Sequence, residues 1–125
     1  MKIKTVFIFG NPDLEMDSLP IRLVPRLQKI FPEVSFQIKD PNEEWDIPEE
    51  MTIIDTAVGV DEVTIFDDLE SFDKTPQLSM HDFDALTNLR YMKKLGRLKK
   101  IMIIGVPPDI SEEKAVEEIK KILLK

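Results

Sequence analysis

The sequence predicts an α/β protein, a three-layer αβα sandwich around a mainly parallel sheet of about five strands. Three observations lead there. Strand-like and helix-like segments alternate along the chain, the order parallel strands require because each pair needs a crossover connection. Several strand segments are apolar on both faces, IKTVFIF at 3–9 and IMIIGV at 101–106 most plainly, so a layer must cover each side of the sheet. The 125 residues, 42% hydrophobic and 33% charged, contain no internal repeat or low-complexity stretch, and they suit a single domain spanning 1–125 with a real core.

Residues 3–9 form the first strand, ended by the turn signal Gly10-Asn11-Pro12. A helix follows, with Ser18 as its cap and Pro20 in its first turn, where a missing N–H costs nothing. Leu23, Val24, Leu27, Ile30 and Phe31 fall on one face of a 3.6-residue repeat. Pro25 lies inside this pattern and predicts a kink or a delayed helix start. Residues 34–39 read as a second strand, 40–50 as an acidic, proline-containing connection, 52–57 (TIIDTA) as a third strand and 63–66 as a short fourth. Residues 67–80 read as loop.

A helix over 82–95 carries Phe83, Leu86, Leu89 and Met92 at three-residue steps and closes at Gly96. The strand at 101–106 stops at Pro107-Pro108. The last helix has Ser111 as cap, Glu112 and Glu113 in its first turn, and Lys120, Lys121 and Lys125 toward its end, a charge order that matches the helix dipole. Its apolar stripe is Val116, Ile119 and Leu123.

Composition removes several classes of function. There are no cysteines, which excludes disulfides, thiolate metal sites and thiol nucleophiles. The net charge of -7 argues against nucleic acid as a partner. No apolar run is long enough to span a bilayer, so no membrane insertion is expected. The first ten residues alternate like a strand and lack a small-residue cleavage site, so a cytoplasmic location is expected. The charge is also unevenly spread. Residues 40–50 hold six acids in eleven and residues 90–100 hold six bases, which reads as solvated surface, with recognition by a protein partner as the alternative.

Three residues are candidates for chemistry. In open parallel sheets, ligands bind beyond the carboxyl ends of the strands. Asp17 lies in the loop after the first strand, Asp55 ends the apolar run Ile53-Ile54, and His81 precedes a helix, so all three can reach one rim. Each has a plainer reading: Asp17 as a helix cap, Asp55 as a paired buried acid, His81 as a structural imidazole. Together, one nitrogen and two oxygen donors suit a borderline divalent ion such as Ni²⁺ or Zn²⁺, with positions left open for substrate. A Gly-x-Ser-x-Gly elbow, a phosphate-cradling glycine loop and a His-Glu-x-x-His motif are all absent. Trp45, within the acidic connection, reads either as a lid on the core or as a binding anchor.

With these residues in place, the sequence resembles the [NiFe]-hydrogenase maturation endopeptidases. The resemblance runs through Gly10-Asn11 and the acidic loop to Asp17, then Ile53-Ile54-Asp55-Thr56-Ala57, then Ser79-Met80-His81, Leu95-Gly96 and Gly105-Val106-Pro107-Pro108-Asp109. It implies a phosphorylase/hydrolase-like fold and a metal-dependent endopeptidase. The substrate it implies is the C-terminal extension of a [NiFe]-hydrogenase large-subunit precursor, removed after nickel insertion. Asp17, Asp55 and His81 would be both catalytic and metal-binding, toward nickel that arrives in the precursor, with zinc or cadmium as substitutes in vitro. The chain departs from the pattern at Met16, which replaces the first acid of a pair, and at Pro20, where glycine is usual. A proteolytically inactive assembly chaperone is the first alternative. A receiver-like signalling domain with Asp55 as phospho-acceptor is the second, and a plain binding module whose rim acids are caps is the third.

Overall fold

The computed structural model describes residues 3–9, 13, 18–39, 48–66, 77–78 and 91–124. In chain order the elements are β1 (Thr5–Ile8), α1 (Leu19–Ile30), β2 (Ser35–Ile38), β3 (Glu50–Val58), β4 (Thr64–Phe66), β5 (Gln77–Leu78), β6 (Lys100–Val106) and α2 (Glu112–Leu123). Residues 91–94 are also helical. The main path of the sheet runs β2-β1-β3-β6-β4, with β5 attached to β3 beside it. The pairs β1–β2, β1–β3 and β3–β6 are parallel, whereas β4 runs antiparallel to β6. This is the mainly parallel α/β sheet the sequence predicts.

Strand alternation sorts the core into two layers. Val6, Ile8, Ile54, Ile104 and Val106 face one side, where they pack on Leu19, Leu23 and Leu27 of α1 and on Ala115, Val116 and Ile119 of α2. Phe7, Phe9, Ile53, Ala57, Ile101 and Ile103 face the other, with Leu98 buried among them and Met92 packed against them. Burying a side chain of this size contributes about 1.5–3 kcal/mol, so the two central strands, β3 and β6, anchor the fold. The edge strand β2 is only half-buried, and Ile38 stands 52% exposed.

Several expectations need correction. The start of α1 is not delayed by Pro25: the helix begins at Leu19 and passes through it. Pro25 lies on the exposed side of α1, where water can serve the carbonyl that loses its N–H partner. Ser18 holds the N-cap position without capping through its side chain. Its backbone is near-helical there, and its hydroxyl accepts from Arg22 Nε at 3.3 Å instead. The loop expected over 67–80 includes β5, which pairs antiparallel with the end of β3. Glu50, assigned to the acidic connection, is the first residue of β3. Glu49 and Glu50 face Lys99 and Lys100 in exposed ion pairs of 3.7 and 3.8 Å, which contribute little to stability.

Other expectations hold as read. Ser111 caps α2 by accepting from the Lys114 N–H at 3.1 Å. Gly96 takes φ +77, and the N–H groups of Arg97 and Leu98 both reach back to the Met92 carbonyl. That is a helix end closed by a left-handed glycine.

Candidate active site

The chain passes from β1 to β2 on one side and returns to β3 on the other, so strand order reverses between β1 and β3. In sheets of this kind, ligands bind beyond the carboxyl ends of the strands at such a point. Phe9, just past β1, donates its N–H to the Ile54 carbonyl at 3.0 Å, and Asp55 is the next residue. Asp55 therefore sits at the switch point.

Asp55 is fully buried. It shares a face with Ile53 and Ala57 by alternation, and its neighbour across the ladder on β6 is Gly105, which has no side chain to place beside the carboxylate. Thr64 of β4 is paired to Gly105 in turn, so Thr64, Gly105 and Asp55 form one row across three strands. A buried carboxylate needs partners to offset its lost hydration, and Asp55 does make a polar interaction within the chain. Asp55 was expected at the end of its strand. Instead β3 continues to Val58, and every residue from 51 to 57 is buried, so the carboxylate lies within the sheet's last rows.

Thr56, next to Asp55, faces the opposite layer. It is 2% exposed, and its Oγ1 is buried without a hydrogen-bond partner among the described residues. Neither this orphan hydroxyl nor the pairing of Asp55 with Gly105 could be found from sequence, because both depend on which strands are neighbours.

Beyond the strand ends lies an open cleft of about 610 Å³. Val58, Gly59, Val60 and Asp61 line one wall, Pro108 and Asp109 the other, and Arg22 reaches in from the first turns of α1. The cause is local. The pairing of β3 with β6 stops at Thr56 and Val106, since Pro107 and Pro108 have no N–H to extend it. Because β3 runs on to Val58, a step opens between the two chain ends. Gly59 then turns the chain with φ +95, a conformation only glycine adopts readily. Arg22 is held at two points, through Nε to Ser18 and through a 3.5 Å ion pair with Glu112.

Asp17, His81, Trp45 and Met16 lie outside the described residues, as does 82–90 of the helix expected before Gly96. Among the described residues, no group of three or more His, Asp or Glu side chains gathers to hold a metal. No helix among them is long and apolar enough to cross a membrane.

Three solved structures share this arrangement of elements. One is the hydrogenase maturating endopeptidase HybD from E. coli: 18% identity, TM-score 0.66, covering 98% of this chain and 93% of that one. Another is the endopeptidase HycI from Escherichia coli, at 18% identity and TM-score 0.60, covering 97% and 89%. A third is a [NiFe] hydrogenase maturation protease, HycI from Thermococcus kodakarensis KOD1, at 17% identity and TM-score 0.56, covering 99% and 94%. No protein-family model and no curated protein sequence matches the chain. At this level of identity the likeness is one of fold, extending over nearly the whole chain.

Proposed function

Starting from a chain with the fold of the hydrogenase maturation endopeptidases, we propose that it is itself a metal-dependent endopeptidase of this kind. Its substrate is the nickel-loaded large-subunit precursor of a [NiFe]-hydrogenase, from which it removes the C-terminal extension. The observation that carries this reading is Asp55: a fully buried carboxylate at the switch point of that fold, where a ligand-binding group is expected.

Connectivity supports the other two members of the site. Asp17 directly precedes Ser18, the N-cap of α1, and Arg22 in α1 lines the same cleft as Val58 of β3. His81 follows Leu78 by three residues. Leu78 is paired with Ala57, two residues beyond Asp55, and three residues of chain span at most about 11 Å. One imidazole and two carboxylates form a donor set suited to nickel.

Nickel is part of the substrate in this reaction. Asp17, Asp55 and His81 bind it and thereby hold the scissile peptide bond against the rim, which converts an encounter into a fixed geometry. When bound, the ion supplies Lewis acidity toward the scissile carbonyl or a water. The chain offers no cysteine, and its one histidine belongs to the binding set. In this reading the attacking group is water: its oxygen enters the new carboxylate, the C–N bond breaks, and protons pass to the leaving amine.

Calorimetric titration tests the site. The protein is expected to bind Ni²⁺ at one site per chain, with Zn²⁺ and Cd²⁺ as weaker substitutes. Asp55→Ala and His81→Ala should each weaken binding by about 100-fold. Binding indifferent to both substitutions would refute the three-residue site. Binding without cleavage of the precursor would favour an assembly chaperone that docks on nickel. The receiver-like alternative conflicts with the antiparallel β4, because receiver sheets follow an all-parallel order.

A further inference from the structure

Resting on that reading, we infer that the cleft beyond Val58 and Pro108 is where the substrate's main chain lies, as an extended segment with one apolar side chain seated between those two residues. Four features point to a peptide. The space of about 610 Å³ falls within the range of specific ligand sites. Val58 is 50% exposed although it ends a strand whose preceding residues are buried, so an apolar contact is available at the step itself.

The third feature is the charge on the rim. It carries both signs, with Arg22, Asp61 and Asp109 all lining the cleft. A peptide backbone presents carbonyl acceptors and N–H donors in alternation, so a guanidinium and carboxylates serve it together, where a simple anion or cation would meet one repulsive group. Arg22 suits the donor role: Ser18 and Glu112 hold its guanidinium in place while part of its fan of five N–H groups stays free.

The fourth feature is continuity with the candidate site. Val58 follows Asp55 by three residues on the same strand. Across Gly59 the chain turns over the end of the sheet, so that Val60 packs against the core layer to which Asp55 belongs by alternation. Val60, which also lines the cleft, thereby links its wall to the layer that holds Asp55. Arg22 and Val58 are thus residues that orient and select the substrate; they do not take part in the reaction.

The experiment uses the full-length protein, ¹⁵N-labelled, titrated with overlapping synthetic peptides covering the C-terminal segment of the hydrogenase large-subunit precursor without nickel. At least one peptide should shift the amides of Gly59, Val60, Asp61 and Asp109 saturably. Val58→Asp should weaken that binding about tenfold or more, and Arg22→Gln should weaken it less, with the rest of the spectrum unchanged in both. In cleavage of nickel-loaded precursor the same substitutions should raise KM and leave kcat within about twofold. Peptides that leave the cleft amides unmoved, or bind Val58→Asp as well as the wild type, would overturn the assignment. Precursor cleavage unaffected by Val58→Asp would do the same while leaving the proposed activity standing. Cleft shifts without cleavage would sustain the peptide site and overturn the protease reading.

Discussion

Thr56 and Asp55 are neighbours on β3, and their side chains face opposite layers of the sheet with opposite consequences. The Thr56 hydroxyl has lost its water and gained no partner among the described residues, and an unmet buried hydroxyl costs roughly 1–3 kcal/mol. Thr56→Val keeps the shape and removes the penalty. The urea midpoint should therefore rise, by an amount equivalent to about 1 kcal/mol, and a fall would show that the hydroxyl is bonded after all. Asp55 was legible in the sequence because a charge inside TIIDTA has no ordinary place in a buried strand. Its pairing opposite Gly105 was not legible, because residues 55 and 105 meet only through the register of β3 and β6. The cleft was equally hidden. Pro107-Pro108 could be read as a stop, but the step it leaves beside β3 depends on the two strands being adjacent.

At the scale of elements, the ends were read better than the interiors. Gly96 and Ser111 do what their types suggest, because caps are local chemistry. Gly96 shows this most sharply. A β-carbon there would meet nothing within 4 Å, so its importance lies in backbone conformation alone. Gly96→Ala should destabilise the protein by about 1–2 kcal/mol through the left-handed strain, measured by thermal or urea unfolding, while Gly96→Asn should lose less. An alanine variant as stable as wild type would mean that the helix end can rearrange. Ser18 and Pro25 escaped the same reasoning for identifiable causes. Arg22 competes for the Ser18 hydroxyl, and a proline on the solvent side of α1 leaves its free carbonyl accessible to water. Both outcomes belong to tertiary placement, which local spacing does not encode.

On the scale of the molecule, apolar runs were enough to predict a mainly parallel sheet covered on both faces, because such strands cannot be left exposed. They could not reveal that β4 is antiparallel or that β5 attaches to the end of β3; both strands are short, and their direction is set by long-range pairing. The placement that matters for function follows from strand order. Reversal between β1 and β3 puts Asp55 at the switch point, buried within the sheet, and the early end of β6 opens a cleft at Val58, three residues further along the same strand. Cleavage of the precursor tests this account most directly. Nickel-loaded and nickel-free large-subunit precursor would each be incubated with wild-type protein and with Asp55→Asn, and the products weighed by mass spectrometry. The wild type should release the C-terminal extension from the nickel-loaded form only, and Asp55→Asn, folded to the same extent, should be slower by about 100-fold or more. Cleavage that ignores nickel, or that survives the loss of the Asp55 carboxylate, would contradict it.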